Sequence, residues 1–507
     1  MADAQDQAIR FLASPGSYGV TQVTTVQTHG AIVFLAGERA YKLKRAVRYP
    51  YMDYSTAERR RAMCQREVEV NRRLAPELYL GVMDVVRGAD GLLHFSPPAS
   101  GQIIDSVVVM MRFDQTSLLG QLCANHRADA VLMRILAREI ATFHMTAERA
   151  PSVDFADVTG AVVEENISLL GAVRIFDGVA REEFVAALQE RFLYSQPLLR
   201  QRSQSGKIRR CHGDLHLNNI VVMGNKPVPF DAIEFNDDYV FIDPIYDVSF
   251  LLMDLERIGE RKLAHVLFNR YFELIPDDES LTLLPLYLSL RAAIRAHVAV
   301  SRGAAGDSTA TDEAYRCFAL ARDFLVVRPP QLIVIGGFSG SGKTTLARAL
   351  APAIGMAPGA LILRSDIIRK TLMGVDEMER LPQSAYSDAV NAKVFITLRE
   401  RARTLLAGGH SVVVDSVYGH PEERAGIEAV AQSTGASFHG FWLEAPYRTL
   451  SHRIMTRRND ASDATPAVLD LQMRGLTPPS NWCKLDVDQS PEAVAALALK
   501  HLPTNRG

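Results

Sequence analysis

Leu332-Ile-Val-Ile-Gly-Gly337-Phe-Ser-Gly340-Ser341-Gly342-Lys343-Thr344-Thr345-Leu-Ala-Arg-Ala-Leu350 decides the fold of the last third of this 507-residue chain. A short apolar strand pattern runs into G-x-x-x-x-G-K-T, and a helical pattern follows at once. The glycines let backbone N–H groups wrap a phosphate chain, and the start of the helix adds its positive dipole. Lys343 can then reach the β- and γ-phosphates while the Thr344 hydroxyl coordinates Mg²⁺. Gly337, Gly340, Ser341, Gly342, Lys343, Thr344 and Thr345 are therefore the expected ATP-binding residues. Beyond the loop, apolar segments at 360–363, 411–414 and 439–443 alternate with helical patterns, which predicts an α/β domain with a parallel sheet covered on both faces.

Three further features near this loop bear on its chemistry. Asp366 and Arg369 follow the second strand, at the sheet edge where open α/β folds bind ligands. An aspartate there can accept the proton of an attacking hydroxyl, and an arginine one turn later can hold an anionic part of the acceptor. Val412-Val-Val-Asp415 is an apolar strand ending in an acid, as expected of a Mg²⁺ partner. Arg453, Arg457 and Arg458 sit on a helix before a polar loop, as expected of a lid that brings charge to a transferring phosphoryl group. These residues resemble the polynucleotide-kinase and zeta-toxin-like group of P-loop kinases over about residues 332–490. That resemblance implies an acceptor base at Asp366 and a lid arginine at Arg457.

A second constellation precedes the first. Cys211-His212-Gly213-Asp214-Leu-His-Leu-Asn-Asn219 fits the kinase catalytic-loop pattern H-x-D-x-x-x-x-N, with Asp214 as acceptor base, Asn219 as metal ligand and His212 as brace. Phe230-Asp231-Ala-Ile-Glu234 places another acid at the end of a short strand, and the spacing allows a hairpin that brings Asp214, Asn219 and Asp231 onto one Mg·ATP. Upstream, Arg39-Ala-Tyr-Lys42-Leu-Lys44 follows a hairpin-like Ala36-Gly37-Glu38 and reads as the strand of the phosphate-binding lysine. Lys42 is the first choice, and Lys44, on the same strand face, is the alternative. Its ion-pair partner is Glu67, on a helix opened by the capping-box pattern Ser55-Thr56-Ala57-Glu58 and closing near Leu74-Ala75-Pro76.

HGDLHLNN, FDAIEFND and Asp243-Pro-Ile-Tyr-Asp247 make residues 28–325 resemble the aminoglycoside phosphotransferase family of small-molecule kinases. The resemblance implies a bilobal protein-kinase-like fold with Asp231 on Mg²⁺. No G-x-G-x-x-G loop precedes Lys42 and no A-P-E segment closes a long activation loop, which favours a small acceptor over a protein. The order of the modules resembles proteins called bifunctional aminoglycoside phosphotransferase/ATP-binding protein. The expected architecture is thus an α+β bilobal kinase-like fold (lobes 1–112 and 113–328) followed by an α/β P-loop NTPase domain (329–507), parted at Arg328-Pro329-Pro330.

Composition narrows the partners. With 48% hydrophobic and 22% charged residues the chain can build real cores, and its formal charge of −2 gives no global field for nucleic acid or anionic lipid. The five cysteines lack paired spacing, which points to reduced thiols rather than disulfides or zinc. The start lacks a secretory signal and no apolar run reaches 18 residues, so a cytoplasmic protein without membrane contact is expected. The leading expectation is a bifunctional enzyme using ATP and Mg²⁺ to phosphorylate hydroxyls of small acceptors. A nucleic-acid 5′-hydroxyl kinase, suggested by Arg59-Arg60-Arg61 and Arg457-Arg458, and a nucleotide sensor with one inactive site are the alternatives.

Overall fold

A computed structural model describes residues 2–49, 51–96, 101–151, 153–457 and 461–502. The chain forms two compact units, one of Met1–Ser168 with Phe192–Ile258, the other of Leu169–Arg191 with Gly259–Gly507. The fold is a bilobal kinase-like α+β module followed by an α/β P-loop module.

In the first unit, β1 (Val23–Gln27), β2 (Ala31–Ala36), β3 (Arg39–Lys44), β4 (Tyr79–Arg87), β5 (Leu93–Ser96) and β6 (Gln102–Met111) form an antiparallel sheet in the order β1-β2-β3-β6-β4-β5. The β2–β3 hairpin turns at Gly37 with φ +58°, as the sequence suggests. Alternation along β2 and β3 sends Phe34, Tyr41 and Leu43 into a core shared with Leu12 of α1 (Ala2–Ala13). On the other face, α2 (Ala57–Asn71) packs Cys64 and Val68 against Ala40 and Val108. The Thr56 hydroxyl, not that of Ser55, caps α2 by accepting the Arg59 N–H. The helix ends at Asn71, short of the expected residue 74, and the chain continues as a turn in which the Leu74 and Ala75 N–H groups donate to the Asn71 carbonyl at 3.1 and 2.8 Å. The second lobe contributes α3 (Ala130–Thr146), the hairpin β7 (Ile220–Met223) and β8 (Lys226–Pro229), and α4 (Pro244–Arg257).

The second unit carries α5 (Arg261–Leu274), α6 (Leu284–Ala304) and α7 (Ala310–Asp323) together with a five-stranded sheet. Its strands are β9 (Gln331–Gly337), β10 (Leu361–Arg364), β11 (Val412–Asp415), β12 (Ser437–Glu444) and β13 (Cys483–Asp486), all parallel, in the order β10-β11-β9-β12-β13. Four of these match the expected strands; β13 is an addition that the short, charged Cys-Lys-Leu-Asp sequence hides. The buried central strand β9 opens onto α8 (Lys343–Leu350), whose Leu346, Ala347 and Leu350 seal the core from one face. The stretch Asp278–Ala304 has the length and mean hydropathy, 1.3, of a membrane-crossing helix, contrary to the expected absence of an apolar run. Its apolar window is 72% buried inside the fold, as in a core helix. All five cysteines are free thiols.

Candidate active sites

In the first unit the β7–β8 hairpin does what the spacing of Asn219 and Asp231 anticipates: the Phe230 N–H donates to the Asn219 carbonyl at 2.9 Å. The Asn219 amide donates to the Asp214 carbonyl at 3.0 Å and to its Oδ2 at 2.9 Å. Asp214 and Asp231 are both about two-fifths exposed, at 41% and 42%. Asp247 of α4 holds the backbone of the loop that carries Asp214 and Asn219. It is fully buried and accepts the N–H groups of His212 at 3.0 Å and Gly213 at 2.9 Å, with His144 Nε2 of α3 at 3.1 Å. Burial opposes ionisation of Asp247, but the bonds from His144 and the loop outweigh it and hold its pKa below the ordinary value. Burial pushes the His212 pKa below its ordinary value, and its Nε2 lies 2.9 Å from the Phe230 carbonyl. Gly213 has φ +84°, and a Cβ there would lie 2.8 Å from the Tyr239 carbonyl.

Asp231 itself adopts φ +63°, a conformation that costs a non-glycine residue on the order of 1 kcal/mol. Its neighbours enforce it. The Asp231 N–H donates to the Tyr79 hydroxyl at 3.1 Å, and Asn71 exchanges hydrogen bonds with the Ala232 backbone at 2.8 and 3.3 Å.

Both lysines of β3 reach Glu67, and their other partners separate them. Lys42 Nζ lies 2.8 Å from Glu67 Oε1 and 2.5 Å from Asp231 Oδ1, and its side chain keeps 18% exposure. Lys44, at 2%, lies 2.6 Å from Glu67 Oε2 and 2.5 Å from Glu234 Oε1, and the Tyr54 hydroxyl donates to the same Glu234 oxygen at 2.7 Å. Burial disfavours both ammonium groups, yet the paired carboxylates raise both pKa values well above the ordinary value. Lys42 is thus the lysine beside the candidate metal acid, whereas Lys44 ties the segment after Asp231 to α2.

In the second unit a cleft of about 700 Å³ is lined by Gly340, Gly342, Lys343, Thr344, Thr345, Asp366, Arg369, Asp415 and Arg457; Gly337 and Ser341 lie outside its lining. Gly340 has φ +83°, and a Cβ there would lie 2.5 Å from the Leu450 carbonyl, which only glycine avoids. Lys343 Nζ donates to the Gly337 and Phe338 carbonyls at 2.9 and 3.0 Å. The Thr344 hydroxyl donates to Asp415 Oδ2 at 2.5 Å. Asp366 opens α9 (Ser365–Met373); burial raises its pKa, nearby Asp415 adds to this, and Arg364 opposes it. Arg369 donates to the Ala385 carbonyl at 2.8 Å and lies 4.7 Å from the centroid of the Tyr386 ring. Arg457 donates to the Ser462 and Ala464 carbonyls at 2.9 and 3.2 Å, and Arg453 to the Val487 carbonyl at 2.8 Å. Arg458 lies outside the described residues.

Both sites suit Mg·ATP. The Ser341 hydroxyl, buried behind the phosphate loop, has no partner, and the pairs Thr344–Asp415 and Asn219–Asp231 offer the oxygen ligands a hard divalent cation takes. The basic triplet is already occupied. Arg59 pairs with Asp53, Arg60 with Asp105 at 2.8 Å and Arg61 with Asp84 at 3.1 Å. Asn71, Tyr79, His144 and Gln472, whose Oε1 accepts the Ser339 N–H at 2.9 Å, escaped sequence reasoning. Asn71, Tyr79 and Gln472 act through bonds to backbone distant in sequence, and His144 through a bond to the Asp247 carboxylate 103 positions away, which leaves no local pattern. Asp247 and Glu234 were in view as part of quoted motifs, but their partners were not.

Comparison with known proteins agrees with this geometry. Residues 35–284 match the Phosphotransferase enzyme family, and residues 332–479 match an AAA domain family. Uncharacterized proteins of Mycobacterium tuberculosis and Mycobacterium bovis are 32% identical over 452 residues, covering 87% of this chain and 88% of theirs. Among solved structures, a choline/ethanolamine kinase family protein from Mesorhizobium loti covers 64% of this chain and 95% of its own, with 15% identity and a TM-score of 0.40. A gluconokinase from Sinorhizobium meliloti covers 34% of this chain and 91% of its own, with 24% identity and a TM-score of 0.26.

Proposed function

We propose that this chain, which belongs to one family with these mycobacterial proteins and itself joins a phosphotransferase-family module to a P-loop kinase-like module, carries two separate kinase sites. Each transfers the γ-phosphoryl group of ATP to a hydroxyl of a small-molecule acceptor. Residues 1–112 and 113–328 serve as the two lobes of the first module and residues 329–507 as the second. The observation that carries this reading is the same convergence at both sites: an acid able to take a proton, a lysine, and an oxygen ligand pair for one divalent cation.

In the first site Asp214 takes the acceptor proton, Asn219 fixes its carboxylate, and Lys42, held by Glu67, faces the phosphates. Asn219 and Asp231 would hold Mg²⁺. In the second site the backbone of Gly337 to Thr345 and Lys343 bind the phosphates, and Thr344 and Asp415 would hold Mg²⁺. Asp366 takes the acceptor proton, its raised pKa improving it as a base near neutral pH. Arg369 binds an anionic part of the acceptor, and Arg457 brings charge to the transferring group. Bound Mg·ATP supplies the phosphoryl group and the divalent charge that offsets its growing negative charge; the protein contributes position and electrostatics.

ATP consumption measured with and without a broad panel of hydroxylated compounds tests this reading. Lys343→Ala should abolish only the second activity and Asp214→Ala only the first. One substitution silencing both would refute separate sites, and a panel without any stimulating compound would favour a nucleotide sensor.

A further inference from the structure

Among the described residues, β10 is an edge strand, paired only with β11. The Leu361 N–H faces inward and donates to the Ser411 carbonyl at 3.1 Å, so the next N–H, of Ile362, faces away from the sheet. An outward edge donor inside a protein needs a partner. It finds one on α5, where Asn269 Oδ1 accepts it at 2.7 Å, and one helical turn earlier His265 Nε2 lies 3.0 Å from the Ala360 carbonyl. All of these groups are buried. α5 therefore closes the sheet edge as a strand would, through side chains in place of backbone.

The same helix also holds the chain beyond α9. Arg270, 4% exposed, lies 2.8 Å from Glu377 Oε2, and Glu377 belongs to the segment that runs on to Ala385 and Tyr386, the two partners of Arg369. β10 leads directly into α9 with Asp366 and Arg369. Thus α5 grips the backbone just before, and the segment just after, the helix that carries both acceptor-side residues. α5 also lies within the residues that match the phosphotransferase family, not within those that match the AAA domain family.

We propose that Asn269 and Arg270 are positioning residues for the acceptor side of the P-loop site, so that a helix from the phosphotransferase match completes the second kinase. The inference rests on the phosphotransfer reading of that site. Its physical content is a division of labour within one sheet. The phosphate loop follows the central strand β9, which α5 does not touch through these bonds, whereas the acceptor acid follows β10, which it does.

The test uses the full chain with Asp214→Asn in the background, so that only the P-loop site hydrolyses MgATP, water taking the place of the acceptor. Asn269→Leu should lower kcat for MgATP hydrolysis about tenfold while the KM for MgATP stays within about twofold, the fold-change of a ~1.4 kcal/mol loss of positioning. Because Arg270 also lies 3.0 Å from Glu273 Oε2, Arg270→Glu is compared in a Glu273→Gln background, where it should act in the same direction and the charge exchange R270E/E377R should restore most of the rate. Amide hydrogen exchange provides an arm that needs no turnover: in Asn269→Leu it should quicken over 361–387 and stay unchanged over 331–337. Loss of kcat and KM together, no rescue by the charge exchange, or faster exchange throughout the sheet would overturn the proposal in favour of a general packing role. A parent protein that binds MgATP and consumes it neither alone nor with any compound of the hydroxylated panel would overturn the phosphotransfer reading itself, while the exchange arm still decides whether α5 holds β10 and α9.

Discussion

Replacing each β3 lysine in turn by methionine should separate two roles that neighbouring positions on one strand face conceal. Lys44 is 2% exposed and is bonded to Glu67 and Glu234, at 0% and 6%. Removing it leaves Glu67 with Lys42 but leaves the Glu234 carboxylate, among the described residues, with only the Tyr54 hydroxyl bonded to it, so a buried carboxylate loses its paired ammonium. Breaking a buried pair from one side costs about 3–5 kcal/mol. For a unit of this size that corresponds to a fall in Tm of roughly 6–20 °C. Lys42 differs in both respects. Its second partner, Asp231, is 42% exposed and can rehydrate, and Glu67 keeps Lys44. Lys42→Met should therefore cost less than about 2 kcal/mol of stability. It should nonetheless lower phosphate transfer at the first site by about 10²-fold or more, the usual effect of losing a donor aimed at developing charge. Thermal unfolding and ATP consumption in a Lys343→Ala background, which silences the second site, measure the two effects. A Lys44→Met protein of unchanged Tm with no transfer, beside a Lys42→Met protein that still turns over, would reverse the assignment and refute the reasoning.

Burial raises the Asp366 pKa, so in an Asp214→Ala protein the acid limb of the second activity should lie above the ordinary carboxylate range, and a limb at or below pH 4 would argue against Asp366 as the base. His265 and His410 are buried and lowered to about 4. Between that value and the ordinary 6.5 the unfolded chain binds the protons, so stability should fall as pH drops through this window, by up to about 1.4 kcal/mol per pH unit for each histidine. Urea unfolding from pH 7 to pH 4.5 checks this, with His410→Phe expected to flatten the slope. His144→Ala removes the donor that orients Asp247 under the catalytic loop and should lower the first activity by at least tenfold; it should leave the second untouched, as assays in the two single-site backgrounds would show.

The legible parts of this chain are those whose chemistry is local. Phe338 to Gly342 form one continuous turn between β9 and α8, so the fold around them follows from their order, and Gly340, Gly342 and Lys343 to Thr345 line the cleft. Asp214, Asn219 and Asp231 are joined by one short hairpin, and chain geometry alone lets them meet. The helix start at Thr56 was legible to within one residue, because a cap is a bond between near neighbours.

Tertiary structure decided the rest. Whether Lys42 or Lys44 faces Asp231 depends on where the strand twist carries two side chains of one face, and on which acids the other lobe brings to them. The left-handed backbone at Asp231 is enforced by Tyr79 and Asn71, far away in sequence. The sealing of β10 by Asn269 joins residues 93 positions apart. Sequence order by itself determined which candidate groups come together, because motifs are short loops closed by covalent geometry. Which groups hold those atoms still was set by the packing of separate elements, where a single bond between distant residues leaves no periodic trace in either segment.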